Sequence, residues 1–222
     1  MPRRRVEDIR VADRPSLDTL AQRLGAAGGF TAKGFAQGVD LLVEMLGDRE
    51  MTTFLSFPAD IVATGTRGVL HELLAGGYVE AVVTTCGTLD HDIARSYGPY
   101  LHGDWLLDDA VLRKKGLYRL GNLVIEEKVY GGIVERFMQR LLGRLWKEGT
   151  RRLSTVDLVW KIGEALGPTA GRGSLARAAF ERKIPVVVPG ITDGAVGSQL
   201  WLFWQMHKEF QLDLLPDEQR LS

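Results

Sequence analysis

The sequence holds a single cysteine, Cys86, in 222 residues. That excludes an internal disulfide framework and any multi-cysteine metal site within the chain, and no metal is expected. It has no excess of charge of either sign, because 28 Lys and Arg are matched by 28 Asp and Glu. A balanced chain lacks the basic footprint of nucleic-acid binding, so no nucleic-acid partner is expected. No run of eighteen apolar residues occurs, so no membrane span is expected. The basic cluster Arg3-Arg4-Arg5 runs into Val6-Glu7-Asp8 rather than an apolar stretch. It therefore reads as a solvated N-terminus and not a secretory signal. A cytoplasmic location is the default. There is no internal repeat, no low-complexity tract and no GxGxxG fingerprint.

What the chain does have is ordinary globular composition, 45% apolar and 25% charged, and enough length for one large α/β domain with a substantial core. Residues 1–14 are charged and without periodicity. Ser16 is placed to cap a first helix, and Lys33–Leu46 has the apolar stripe of a second. Residues 1–50 read as a helical extension and 51–222 as an α/β core, with no convincing boundary between domains. Within the core, Met51–Phe57 reads as a buried strand, Val62–Leu74 as a helix, Tyr78–Thr85 as a strand and Leu89–Tyr97 as a helix. That alternation predicts a parallel sheet with crossover helices. Pro99–Gly103 reads as loop, Leu106–Lys114 as a short helix, Gly121-Asn122 as a turn into a short strand over Leu123–Ile125, and Gly131–Trp146 as a helix. Ser154 and Asp157 have capping-box spacing at the head of a helix to about Leu166. Gly167–Gly173 reads as loop and Ser174–Lys183 as a helix. Ile184–Pro189 has the continuous branched run of a buried parallel strand, and Val196–Phe210 reads as a last helix.

Three strand-end turns carry the candidate chemistry, since ligands of open α/β sheets sit at the carboxyl ends of strands. In the first, Phe57–Arg67, small residues precede a helix N-terminus that can hold an anion; Asp60 serves there either as a ligand contact or as a simple cap. In the second, Thr84–Asp92, hydroxyls suit phosphate or ribose, and Cys86 reads as a small apolar filler rather than a reactive thiol. Asp90, His91 and Asp92 are adjacent, so on a helix they point in different directions. That argues against a metal cluster and for a His91 hydrogen-bonded to a ligand or to a neighbouring carboxylate. In the third, Pro189–Ser198, Asp193 can bind ribose hydroxyls or an amine, or it can form an Asx-turn capping the next helix. The simplest ligand common to all three turns is a dinucleotide across the sheet edge.

At these residues the chain resembles the deoxyhypusine synthase family, most closely its archaeal form. The strings that carry the resemblance are GFTAKGFAQGVDLL (29–42), VVTTCGTLDHDIAR (82–95), GLYRLGNLVI (116–125) and IPVVVPGITDGAVGSQLW (184–201). The resemblance implies a Rossmann-like, doubly wound, mostly parallel sheet with flanking helices, NAD as cofactor and an oligomer, usually a tetramer. It implies transfer of the aminobutyl group of spermidine to one lysine of the hypusine-bearing translation initiation factor, through an enzyme lysine that carries the butyl group as an imine. By position, NAD contacts fall on Ala59, Asp60, Ile61, Val62 and Ala63, on Thr85, Cys86 and Gly87, and on Asp193. Substrate amine contacts fall on Asp90 and His91, and on Ser198, where the family commonly has an acidic residue.

The family's glycine-triplet turn and Trp-Gly-Lys segment have no counterpart here. The Trp-Lys pairs, Trp146-Lys147 and Trp160-Lys161, lie on predicted helices. The expectation is a sheet without its C-terminal strands, inactive alone, needing a complementing C-terminal polypeptide to supply the nucleophile and to cover an otherwise hazardous sheet edge. Two alternatives stand beside it, a non-catalytic NAD-binding or activating subunit and a homospermidine synthase-like aminobutyl transferase.

Overall fold

A computed structural model describes residues 5–11, 14–48 and 50–221. Arg3 and Arg4 of the basic cluster lie outside the described residues. The chain divides into two compact units, residues 1–53 and 54–222.

The first unit is a helical hairpin of α1 (Leu17–Ala27) and α2 (Phe30–Gly47). Ser16 caps α1 as its position suggests, its hydroxyl accepting from the Thr19 amide at 3.2 Å. Gly28 ends α1 in the left-handed region, φ 67°, where a side chain is disfavoured. Beyond it α2 begins three residues earlier than its apolar stripe implies.

The second unit is α/β. Its main sheet has three strands in the order β1 (Phe54–Phe57), β2 (Ala81–Thr84) and β7 (Val186–Val187), all parallel. β1 is shorter than expected and not fully buried: Phe54 is half exposed, because among the described residues β1 is an edge strand paired with β2 alone. β2 and β7 are the buried strands that their branched runs predict. Between β1 and β2 the chain forms a single turn, α3 (Asp60–Ala63), and a separate helix, α4 (Arg67–Gly76). The one helix expected over Val62–Leu74 is thus broken at Thr64, whose backbone is extended, φ −96° and ψ 178°.

After α5 (Cys86–Tyr97) comes a small antiparallel sheet, β3 (Leu101–His102), β4 (Leu117–Leu120) and β5 (Leu123–Glu126), in the order β3-β5-β4. β4 lies in a stretch where Arg119 interrupts the apolar run, and the Gly121-Asn122 turn joins it to β5 as a hairpin. α6 (Asp109–Lys114) precedes it, and α7 (Glu127–Lys147) follows, with Val134, Met138, Leu142 and Leu145 fully buried. β6 (Arg152–Leu153) pairs with β8 (Gln211–Leu212).

α8 (Thr155–Ala170) opens with the predicted Ser154–Asp157 capping box. It kinks at Gly167, φ 66°, where Pro168 disfavours helical geometry in the residue before it. α9 (Leu175–Arg182) is capped by Ser174. α10 (Ala195–Met206) stops four residues short of its predicted end, and Phe210 turns back into the core beside Phe203. α11 (Leu215–Leu221) brings Asp217, 1% exposed, to the head of α8, where it accepts from the Thr155 and Val156 amides at 2.9 and 3.1 Å.

α5 is the helix on which the site depends. Cys86 and Thr88 through Ala94 are all buried, so it is surrounded rather than lying on one face of the core. A buried helix carrying Asp, His and Asp in a row must satisfy each of them.

Candidate functional site

α5 spreads its three adjacent polar residues in three directions. Asp92, 0% exposed, turns to α9: its carboxylate accepts from the Leu175 and Ala176 amides at 3.0 and 2.9 Å and from the Ser174 hydroxyl at 2.7 Å. It also meets the buried Arg67 guanidinium, whose Nε donates at 2.9 Å. Asp90, also 0% exposed, turns to α10 and accepts from the Ala195 and Val196 amides, both at 2.8 Å, and from the Tyr130 hydroxyl at 2.9 Å. Burial raises the Asp90 carboxyl above the usual range, against the opposing pull of those donors, and the Asp193 charge adds to the rise. His91 faces neither carboxylate of its own helix. Its Nδ1 lies 2.8 Å from the Tyr100 hydroxyl, and its ring is flanked by Tyr100 and Tyr130 with centroids 5.7 and 5.2 Å away.

The cap that Asp90 supplies removes the capping reading of Asp193. α10 starts at Gly194 with no side-chain cap from its own turn; the carboxylate at its first amides belongs to Asp90. Asp193 therefore does not cap α10 as an Asx-turn, and its side chain is exposed. Gly194 permits this arrangement, since a Cβ there would lie 2.7 Å from Cys86 Sγ and 2.8 Å from Asp90 Oδ2. Ser198 lies within α10, and its hydroxyl donates back to the Gly194 carbonyl at 3.0 Å.

The first two turns also meet. The Ala59 amide donates to the Thr85 hydroxyl at 3.1 Å, and a Cβ on Gly87 would lie 2.8 Å from that of Ala59. α3 carries no side-chain cap, so Asp60, which is exposed, does not close it. Val62 and Ala63 are buried, and the Val62 and Thr64 carbonyls accept from Arg95. Thr84 spends its hydroxyl inside the fold, donating to the Phe57 carbonyl at 2.7 Å, whereas Thr85 stands exposed at the uncapped head of α5. Cys86 is the buried filler the sequence suggests: it is 0% exposed, and burial pushes its thiol up to about 12.

At the carboxyl ends of β1, β2 and β7 these turns leave a crevice of about 400 Å³, lined by Ser56, Phe57, Pro58, Val83, Thr84, Thr85, Pro189 and Gly190. It offers exposed hydroxyls, small residues and, in the adjoining turn, one free carboxylate. Larger recesses of about 530 and 580 Å³ flank the β4–β5 hairpin; they are built from surface ion pairs such as Arg119–Asp109 at 2.7 Å. Among the described residues no group of His, Cys, Asp or Glu is placed to hold a metal ion, and no helix is long and apolar enough to cross a membrane.

Tyr100 and Tyr130 escape a reading of the sequence. Tyr100 falls in what reads as loop, and Tyr130 at the helix start has no motif. The available signal was indirect: a buried histidine and a buried carboxylate each need a partner, and Tyr100 supplies one to His91 while Tyr130 donates to Asp90.

Comparison with known proteins fits this geometry. A family profile described as deoxyhypusine synthase matches residues 19–222. A protein described as probable deoxyhypusine synthase from Picrophilus torridus is 43% identical over 217 residues, covering 98% of this chain and 68% of that protein. One with the same description from Ignicoccus hospitalis is 43% identical over 222 residues, covering 98% and 67%. In fold, the chain is similar to a crystal structure of a candidate deoxyhypusine synthase from Entamoeba histolytica, with a TM-score of 0.67 at 16% identity over 97% of this chain and 73% of that one.

Proposed function

Because this chain belongs to the deoxyhypusine synthase family, whose members are aminobutyl transferases of hypusine biosynthesis, we propose that it forms the NAD-binding part of such a transferase. The reaction is transfer of the aminobutyl group of spermidine to one lysine of the hypusine-bearing translation initiation factor. The observation that carries the proposal is the Asp193 carboxylate, released from capping duty by Asp90 and exposed beside a crevice at the ends of three parallel strands. A carboxylate there accepts two hydroxyls of a ribose. The small residues of Ala59–Ala63 and of Thr85–Gly87 allow close approach of a dinucleotide, and the uncapped α5 N-terminus favours its negative charge. NAD, when bound, supplies a hydride acceptor for the amine.

The chain's own residues bind and orient. Asp90 and Ser198 hold the turn that presents Asp193, and His91 is proposed to reach the site from α5, the helix that Thr85 precedes. The three-stranded sheet is proposed to be the part present here of a Rossmann-like, doubly wound sheet, in an oligomer. Residues 1–222 contain no Trp-Gly-Lys, so the nucleophilic lysine is proposed to come from outside them.

The test is deoxyhypusine formation from spermidine and NAD. The expected result is no product from residues 1–222 alone, and product once a polypeptide bearing the Trp-Gly-Lys segment is added. Product without that segment would overturn the placement of the lysine. NAD binding with no product in either case would favour a non-catalytic subunit.

A further inference from the structure

We propose that Tyr100 is a positioning residue: its hydroxyl donates to Nδ1 of His91 and holds the imidazole as the neutral Nε2–H tautomer, which offers the site a hydrogen-bond donor. The ligand group matched to such a donor is an acceptor oxygen, a carboxamide carbonyl or a hydroxyl, and not an ammonium group.

Two observations fix the direction of the bond. The His91 Nδ1–Tyr100 hydroxyl distance is 2.8 Å, and among the described residues this is the hydroxyl's one hydrogen bond. Were Nδ1–H the donor, the phenolic proton would be left without a protein acceptor. A phenol is also the stronger donor of the pair, and burial keeps Tyr100 protonated by raising its pKa. The second observation concerns the other nitrogen. Among the described residues no buried polar side-chain atom lacks a partner, yet Nε2 makes no hydrogen bond to protein. Nε2 is therefore not sealed in the core and keeps a free hydrogen-bonding position, although His91 as a whole is 7% exposed.

The surroundings keep the ring neutral. Burial lowers its pKa to about 4; Arg95, one turn later on α5, works in the same direction, and Asp60 of α3 works against both. Tyr100 and Tyr130, from the segment after α5 and from α7, add uncharged walls. The tautomer that can be exchanged with water in a free histidine is thus set by one hydroxyl. A neutral Nε2–H cannot accept from an ammonium group, which places His91 beside an oxygen of the dinucleotide rather than beside a polyamine nitrogen. This second half rests on the NAD proposal above; the tautomer does not.

The experiment is long-range ¹H–¹⁵N NMR of the full chain labelled at its four histidines, His71, His91, His102 and His207, with His91→Gln assigning the signal. At neutral pH the His91 Nδ1 resonance is expected in the unprotonated, pyridine-like range and Nε2 in the protonated, pyrrole-like range. In Tyr100→Phe both are expected to move toward the tautomer average. A pyrrole-like Nδ1 in the wild type overturns the proposal without needing any variant to fold. An unchanged spectrum in a folded Tyr100→Phe overturns the role of Tyr100. Saturation with NAD is expected to shift the Nε2 resonance and spermidine alone to leave it. A shift with spermidine alone overturns the assignment of the acceptor. Failure of NAD to bind at all counts against the proposed function, while the wild-type spectrum still decides the tautomer.

Discussion

Replacing Asp92 by Ala is expected to cost far more than replacing its charged partner. Asp92 is fully buried and does two tasks, closing the head of α9 through two amides and the Ser174 hydroxyl and neutralising the buried Arg67. Truncation removes the counter-charge of Arg67, a residue 7% exposed, a fault worth about 3–5 kcal/mol. It also leaves two backbone amides without their acceptor, at roughly 1–3 kcal/mol each in isolation. The two losses share one site and do not simply add, so about 5 kcal/mol is expected for Asp92→Ala. Arg67→Met is different. It leaves Asp92 with three donors from α9, and about 1–2 kcal/mol is expected. Urea denaturation reads both. With a slope of about 2–3 kcal/mol per molar, the Asp92→Ala midpoint falls by roughly 2 M, a large part of a typical total stability of about 5–15 kcal/mol. Adding Arg67→Met to Asp92→Ala is expected to recover part of the loss. A cost below about 1 kcal/mol for Asp92→Ala, or an equal cost for Arg67→Met, would refute the reasoning.

Gly194→Ala is expected to destabilise the fold by about 1–3 kcal/mol through overpacking, because its Cβ would meet Cys86 and Asp90; thermal unfolding checks it, and an unchanged midpoint contradicts it. Cys86 is expected to resist a thiol reagent in the native protein and to react on unfolding, since it is buried with its thiol raised to about 12. His91 gives a pH signature. Its pKa falls from 6.5 to about 4 on folding, so the unfolded chain takes up the proton first as pH drops. The stability tied to neutral His91 is complete above about 6.5 and is lost toward pH 4, up to roughly 3 kcal/mol at about 1.4 kcal/mol per pH unit. Asp90, raised on folding, acts in the opposite sense, with stability rising as pH falls through its range. The His91 part is therefore read as the wild-type minus His91→Gln difference in unfolding free energy, and a flat difference from pH 7 to 4.5 would be inconsistent with it.

The strand-end turns were legible because branched runs ending in Gly, Thr and Asp have few other uses. The adjacency of Asp90, His91 and Asp92 correctly announced three directions, since 100° per residue allows nothing else. What each direction meets was not legible. Asp92 finds amides 83 and 84 positions away and Asp90 finds them at 105 and 106, and no local spacing encodes such pairings. The same blindness left Asp193 open between cap and ligand contact, because the residue that caps α10 in its place sits on another helix. Local signals succeeded at Ser16, at the Ser154–Asp157 box and at Gly121-Asn122, where the partner lies within a turn. They failed at β4, where Arg119 breaks the apolar pattern while pairing with Asp109, and at the α3–α4 break, which hydrophobic periodicity runs straight through.

The most direct test is calorimetric titration of the full chain with NAD, beside Asp193→Ala. Saturable binding is expected for the wild type. For Asp193→Ala, which removes an exposed side chain with no cap to lose, an unchanged unfolding curve is expected, with affinity weaker by about 10–100-fold, the equivalent of roughly 1.5–3 kcal/mol for hydrogen bonds to a charged group. Equal affinity in the two proteins, or no binding by either, would contradict the assignment of the strand-end crevice as the cofactor site.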